Sequence, residues 1–111
     1  MRAIFFVLKN TDLLTPLLNE LKSNGITGGT IVETKGMATE MVMEDDFAFF
    51  GALRHLLKED YKATNTLIFV ANEEKEKIIL AAIEKTIGKL DQPNTGIIFA
   101  FPVDYTIGLK F

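Results

Sequence analysis

One histidine, two arginines and no cysteine leave this 111-residue chain few side chains for covalent or acid–base chemistry. His55 is followed four residues on by Glu59, a spacing that puts both on one helix face and reads as a single contact rather than a catalytic pair. Glu40, Glu44, Asp45 and Asp46 offer hard oxygen ligands, but without the alternating spacing of a calcium loop they read as a solvated acidic turn. The missing cysteines remove thiol nucleophiles, thiolate metal sites and disulfides together. A phosphate-cradling enzyme loop would carry an arginine, and neither Arg2 nor Arg54 sits in one. We expect no catalytic residue, no metal site and no enzymatic activity.

The backbone is more informative. Gly25-Ile26-Thr27-Gly28-Gly29-Thr30-Ile31-Val32-Glu33-Thr34-Lys35-Gly36 closes a helix, turns on glycines, runs as a strand and stops at another glycine. Glycine at a helix end supplies positive φ at little steric cost. Thr30, Ile31 and Val32 are β-branched, as strands prefer.

Two stretches read as buried strands, Ala3 to Asn10 and Thr66 to Asn72, and each leads into a helix and a further strand. The first helix is expected to start at Thr15 as N-cap with Pro16 behind it, and to bury Leu17, Leu18 and Leu21. The second is expected to start at Asn72, with Glu73 and Glu74 in its first turn. Ile78, Ile79, Ala82, Ile83 and Ile87 form its buried stripe, and Gly88 ends it. Pro93-Asn94-Thr95-Gly96 turns into a last strand, Ile97 to Val103. Two such halves predict an α+β, ferredoxin-like βαββαβ sandwich, one domain over residues 1–111, with a long insertion between strands 2 and 3.

Helices on one face leave the other needing cover. Phe6, Phe69, Phe99 and Phe101 lie in near-continuous apolar strands, which predicts a homo-oligomer. The insertion, about 37–64, opens with Met37 to Met43 and then reads as a helix whose apolar face holds Phe49, Phe50, Leu53, Leu56 and Leu57. That face is expected either to pack within the assembly or to dock a protein partner. The net charge of −3 argues against nucleic acid as a partner. The N-terminal apolar run is too short for a signal peptide or a membrane span, so a cytoplasmic protein without membrane insertion is expected.

The Gly25–Gly36 stretch resembles the turn, strand and Lys-Gly pair that precede the long loop of the nitrogen-regulatory PII signalling family. Ile98-Phe99-Ala100-Phe101-Pro102-Val103 is similar to that family's last strand. The resemblance spans nearly the whole chain and implies a homotrimer whose sheets face inward. It also implies a small-molecule effector, an adenine nucleotide in the family, bound in clefts between subunits, and a protein target met through the loop. On that resemblance Gly28, Thr30 and Val70 fall where the family meets the base, Gly36 and Met37 at the loop base, and Lys110 on one of two arginine positions. Gly108 stands at the other, and the glycine-rich phosphate segment ending in Gly-Lys is here Leu90 to Ile97, with Asp91 and Pro93 inside it. Glu40 replaces a glutamine that helps hold magnesium and 2-oxoglutarate. These departures predict weak or absent ATP binding and leave the cofactor unknown. An alternative is a trimer resembling the divalent-cation-binding CutA proteins, suggested by the acidic knot. A faint likeness to an RNA-recognition module falls on the wrong strand for that module.

Overall fold

The unbroken apolar run Ala3–Leu8 makes a central strand that is apolar on both sides, because successive side chains of an extended chain point to opposite faces. The computed structural model describes residues 1–44 and 63–109. In chain order these form β1 (Arg2–Leu8), a short 3-10 turn (Thr11–Leu13) running into α1 (Leu14–Ser23), and β2 (Thr30–Thr34). Then come α2 (Met37–Glu44), β3 (Thr64–Ala71), α3 (Glu73–Ile87) and β4 (Gly96–Pro102). The four strands make one antiparallel sheet in the order β2-β3-β1-β4, as the two-halves pattern predicts.

The pairing register sorts side chains between faces. Ile4 sits opposite Phe69 and Phe6 opposite Leu67, so these four share a face with Leu8 and Ala71. Leu17 and Leu21 of α1 and Ile79, Ala82 and Ile83 of α3 close over that face into the core. The other face carries Phe5, Val7, Ile97, Phe99 and Phe101. The Phe5 ring stacks on Phe99 at 5.0 Å and on Phe101 at 5.6 Å between centroids. The four phenylalanines grouped by sequence therefore divide: Phe6 and Phe69 are buried, while Phe99 and Phe101 stand half-exposed at 48% and 46%.

Local signals hold to differing degrees. The Asn72 side chain accepts from the Lys75 N–H at 2.9 Å, capping α3 as expected. Thr15 does not cap α1. The helical run begins earlier, at Asn10, whose side chain accepts from the Asp12 N–H at 3.2 Å. Pro16 then falls in the first turn of α1, where an absent N–H still leaves no intrahelical bond unmade. Leu18 is exposed, flanking the buried Leu17 and Leu21 rather than joining them. α2 is a helix that sequence reading left unassigned, although Met37, Ala38, Glu40 and Met41 are all good helix formers. The helix expected beyond it, with Phe49, Phe50, Leu53, His55 and Leu57, lies outside the described residues, as do Asp45 and Asp46.

Candidate effector cleft

The end of α1 sets the site. The Ile26 N–H donates to the Leu21 carbonyl at 2.9 Å and the Gly25 N–H to that of Lys22 at 3.0 Å. With Gly25 at φ +82°, this is a Schellman turn, which reverses the chain and tucks Ile26 against the core. The chain then passes close to β3: a Cβ on Gly29 would meet the Phe69 ring at 3.0 Å. A Cβ on Gly28 would meet nothing within 4 Å. One glycine is thus needed for close approach, and its neighbour leaves space open.

That space is a cleft of about 470 Å³ between residues 25–30 and the end of β3. β2 begins at Thr30, opposite Ile68, whereas β3 continues to Ala71, so the last residues of β3 have no strand beside them on the β2 side. Strand N–H and C=O groups alternate between the two edges, so at least one residue of Phe69–Ala71 turns both a donor and an acceptor to that open side. Three residues named from sequence, Gly28, Thr30 and Val70, line this cleft together. Ala71, Lys75, Ile79 and Leu109 also line it and were not foreseen. For Ala71, Lys75 and Ile79 the only sequence signal is position, at and after the junction where the Val70 strand becomes a helix, while Leu109 comes from the segment after β4. A smaller apolar cavity of about 260 Å³ lies against α1, walled by the same loop with Leu18, Leu21, Ile31 and Leu67.

Gly36 and Met37 are not among the lining residues; they follow the far end of β2, where Thr34 pairs with Thr64. There the Thr34 hydroxyl bonds those of Thr64 at 2.6 Å and Thr66 at 2.9 Å, pinning the two strand ends from which the chain departs. Met37 is 79% exposed, and Glu40, one turn into α2, pairs with Lys35 at 2.9 Å. The Leu90–Ile97 turn lies at this same end, since Gly96 pairs with Leu8, but on the opposite edge of the sheet. Three strand spacings separate the two edges, roughly 14 Å. Lys110 lies outside the described residues.

Charge around the cleft is mixed. Lys75 is the only ionisable residue among the described ones that line it. The first turn of α3 carries Glu73, Glu74 and Glu76, and Arg2 pairs with Glu76 at 3.1 Å. Among the described residues no three His, Asp or Glu side chains gather into a metal-holding group.

The family model for the nitrogen regulatory protein P-II matches residues 1–110. The chain belongs to the P-II family. No curated protein matches it. At the level of the family, the protein is a signal-transduction regulator, and its four-stranded antiparallel sheet with three described helices agrees with the P-II architecture. Among the described residues no helix is long and apolar enough to cross a membrane.

Proposed function

We propose that this P-II protein is a cytoplasmic, homotrimeric regulator and not an enzyme. A small effector occupies the cleft beside Gly28, Thr30 and Val70, and the chain from Met37 onward carries the signal to a protein target. The observation that carries the reading is the convergence of those three residues on one open strand edge. Trimeric assembly is supported by the uncovered face around Phe99 and Phe101, an apolar patch of the kind that marks association. It also suits the split geometry: Gly36 and the Leu90–Ile97 turn lie on opposite edges of one sheet, and a site that uses both would lie between neighbouring copies. Signalling is then a population shift, in which effector in the cleft favours one arrangement of the segment after β2, and that arrangement does or does not fit the target.

ATP is the family's ligand, and weak or no ATP binding is expected here. Asp91 brings repulsion to the phosphate segment, Pro93 lacks an N–H, Ile97 replaces a lysine, and Gly108 stands at an arginine position. The deciding experiment combines sedimentation with melting curves of the full chain in the presence of adenine nucleotides and, separately, divalent metals. A trimer stabilised by a nucleotide supports the reading. A stable monomer removes the assembly, and stabilisation by metal alone favours the CutA-like alternative. If the apolar face of the insertion docks the target, Phe50→Ser with Leu53→Ser should abolish partner capture while leaving the trimer folded. A fall of several kcal/mol in stability would instead mean that this face packs inside the assembly.

A further inference from the structure

The geometry points to a covalent modification site at Asn24-Gly25, where the turn that ends α1 holds back deamidation of Asn24 and the reaction proceeds when that turn opens. Of the chain's asparagines only Asn24 is followed by glycine; the others precede Thr or Glu, whose side chains crowd the next backbone nitrogen. Glycine leaves that nitrogen unhindered. The only co-reactant is water. The Gly25 nitrogen, once it has given its proton to base, attacks Asn24 Cγ: the N–Cγ bond forms, the Cγ–Nδ2 bond breaks, and the leaving nitrogen takes up a proton and departs as ammonia. Water then opens the succinimide ring at either carbonyl, giving aspartate or, with the chain rerouted through Cγ, isoaspartate.

Three features of the folded turn oppose ring closure. Asn24 has ψ 14°, which sets the Gly25 nitrogen on the side of the chain away from Cγ. The Gly25 N–H donates to the Lys22 carbonyl at 3.0 Å, so its proton is engaged rather than open to base. Asn24 Nδ2 donates to the Glu20 carbonyl at 2.8 Å and to the Glu20 carboxylate at 3.2 Å, which holds the carboxamide back along the helix. All three belong to one unit, because the turn is closed while Ile26 is tucked into the core and its N–H reaches the Leu21 carbonyl. Asn24 itself faces solvent, and the last turn of a helix opens more readily than a whole domain unfolds. Reclosure does not undo the chemistry. Either product sets a carboxylate against the two Glu20 oxygens that had accepted from Nδ2, and isoaspartate adds a methylene to the backbone between the Lys22 carbonyl and the Gly25 N–H. The loop after Gly25 walls the cleft, so deamidation frees that wall from its anchor.

The test follows Asn24 by peptide mass spectrometry and an isoaspartate assay on the full chain at neutral pH and constant temperature: native, in urea below the unfolding transition, and unfolded. The unfolded chain should convert Asn24 before its other asparagines, and the native chain should convert it slower by roughly tenfold or more. Below the transition the native rate should stay nearly flat with urea, because opening one turn exposes little surface. Ile26→Ala should raise the native rate by roughly tenfold or more, whereas Leu8→Ala, a core truncation at the far end of the sheet, should raise it much less. The urea series needs no variant and decides by itself if either truncation fails to fold. A native rate equal to the unfolded one, a native rate that climbs with urea in step with global unfolding, or equal acceleration by the two folded variants overturns the proposal. So does an unfolded chain in which Asn24 stays unconverted.

Discussion

The two faces of the sheet are made from the same strands and much the same residues, yet they do different work. On the inner face Phe6 and Leu67 are sealed beneath the chain's own helices, at 0% and 1% exposure. On the outer face, among the described residues, Phe5 stacks on Phe99 and Phe101, and water reaches nearly half of the latter two. Residue type does not separate the sets; parity along the strand does. The inner face holds the single chain together. The outer face has apolar surface that the described residues leave uncovered, and the proposed assembly rests on it.

Phe6→Ala should break the inner face and give the largest effect, about 3–5 kcal/mol of lost stability, because it removes a wholly buried ring and leaves a cavity. Chemical denaturation should show this loss at every protein concentration. Phe99→Asp tests the outer face. A charge there is tolerable in a lone chain but very unfavourable in a dry interface, so the variant should sediment as a smaller species while keeping its far-ultraviolet spectrum. Wild-type sedimentation of that variant would mean that this face is not where copies meet.

Smaller changes sharpen the contrast by touching neither face. Asn72→Ala removes the cap of α3 and should cost about 1 kcal/mol in urea melts, with assembly intact. The smallest effect belongs to the ion pair between the helices, Lys85 to Glu20 at 3.1 Å. The hydrogen bond from Lys85 holds the Glu20 carboxyl below its usual range, with Asn24 helping and burial opposing. A lowered carboxyl pKa stabilises the fold above the unfolded value and loses that contribution as pH falls through the folded one. Lys85→Met should therefore lower stability slightly at neutral pH and leave it unchanged below the folded value, which flattens the acid limb of the melting profile. A neutral-pH loss as large as that of Asn72→Ala would give this surface pair more weight than solvent screening allows.

How far each feature was legible in the sequence follows the range of the forces behind it. The Asn72 cap, the glycine exit from α1 and the strand-helix-strand halves are decided within a few residues, and all three stand in the structure. Thr15 misled because a 3-10 turn at Thr11–Leu13 moved the start back to Asn10, a choice between two local caps that pattern alone does not settle. α2 was missed because its short run of helix formers carries no N-cap signal after Gly36. For the cleft, Gly28, Thr30 and Val70 could be named by resemblance, whereas Lys75, Ile79 and Leu109 could not, being remote in the chain and joined only by folding.

By itself, then, the sequence determined the four strands, the two long helices and their order, since propensity, glycine turns and apolar periodicity act over a turn of helix or a pair of strand residues. Tertiary structure alone decided which phenylalanines became core and which remained outside, because that depends on strand register. It also decided that β3 outruns β2 and so opens an unpaired edge beside two glycines. Both outcomes are set by how segments dozens of residues apart align, and no local preference encodes that alignment.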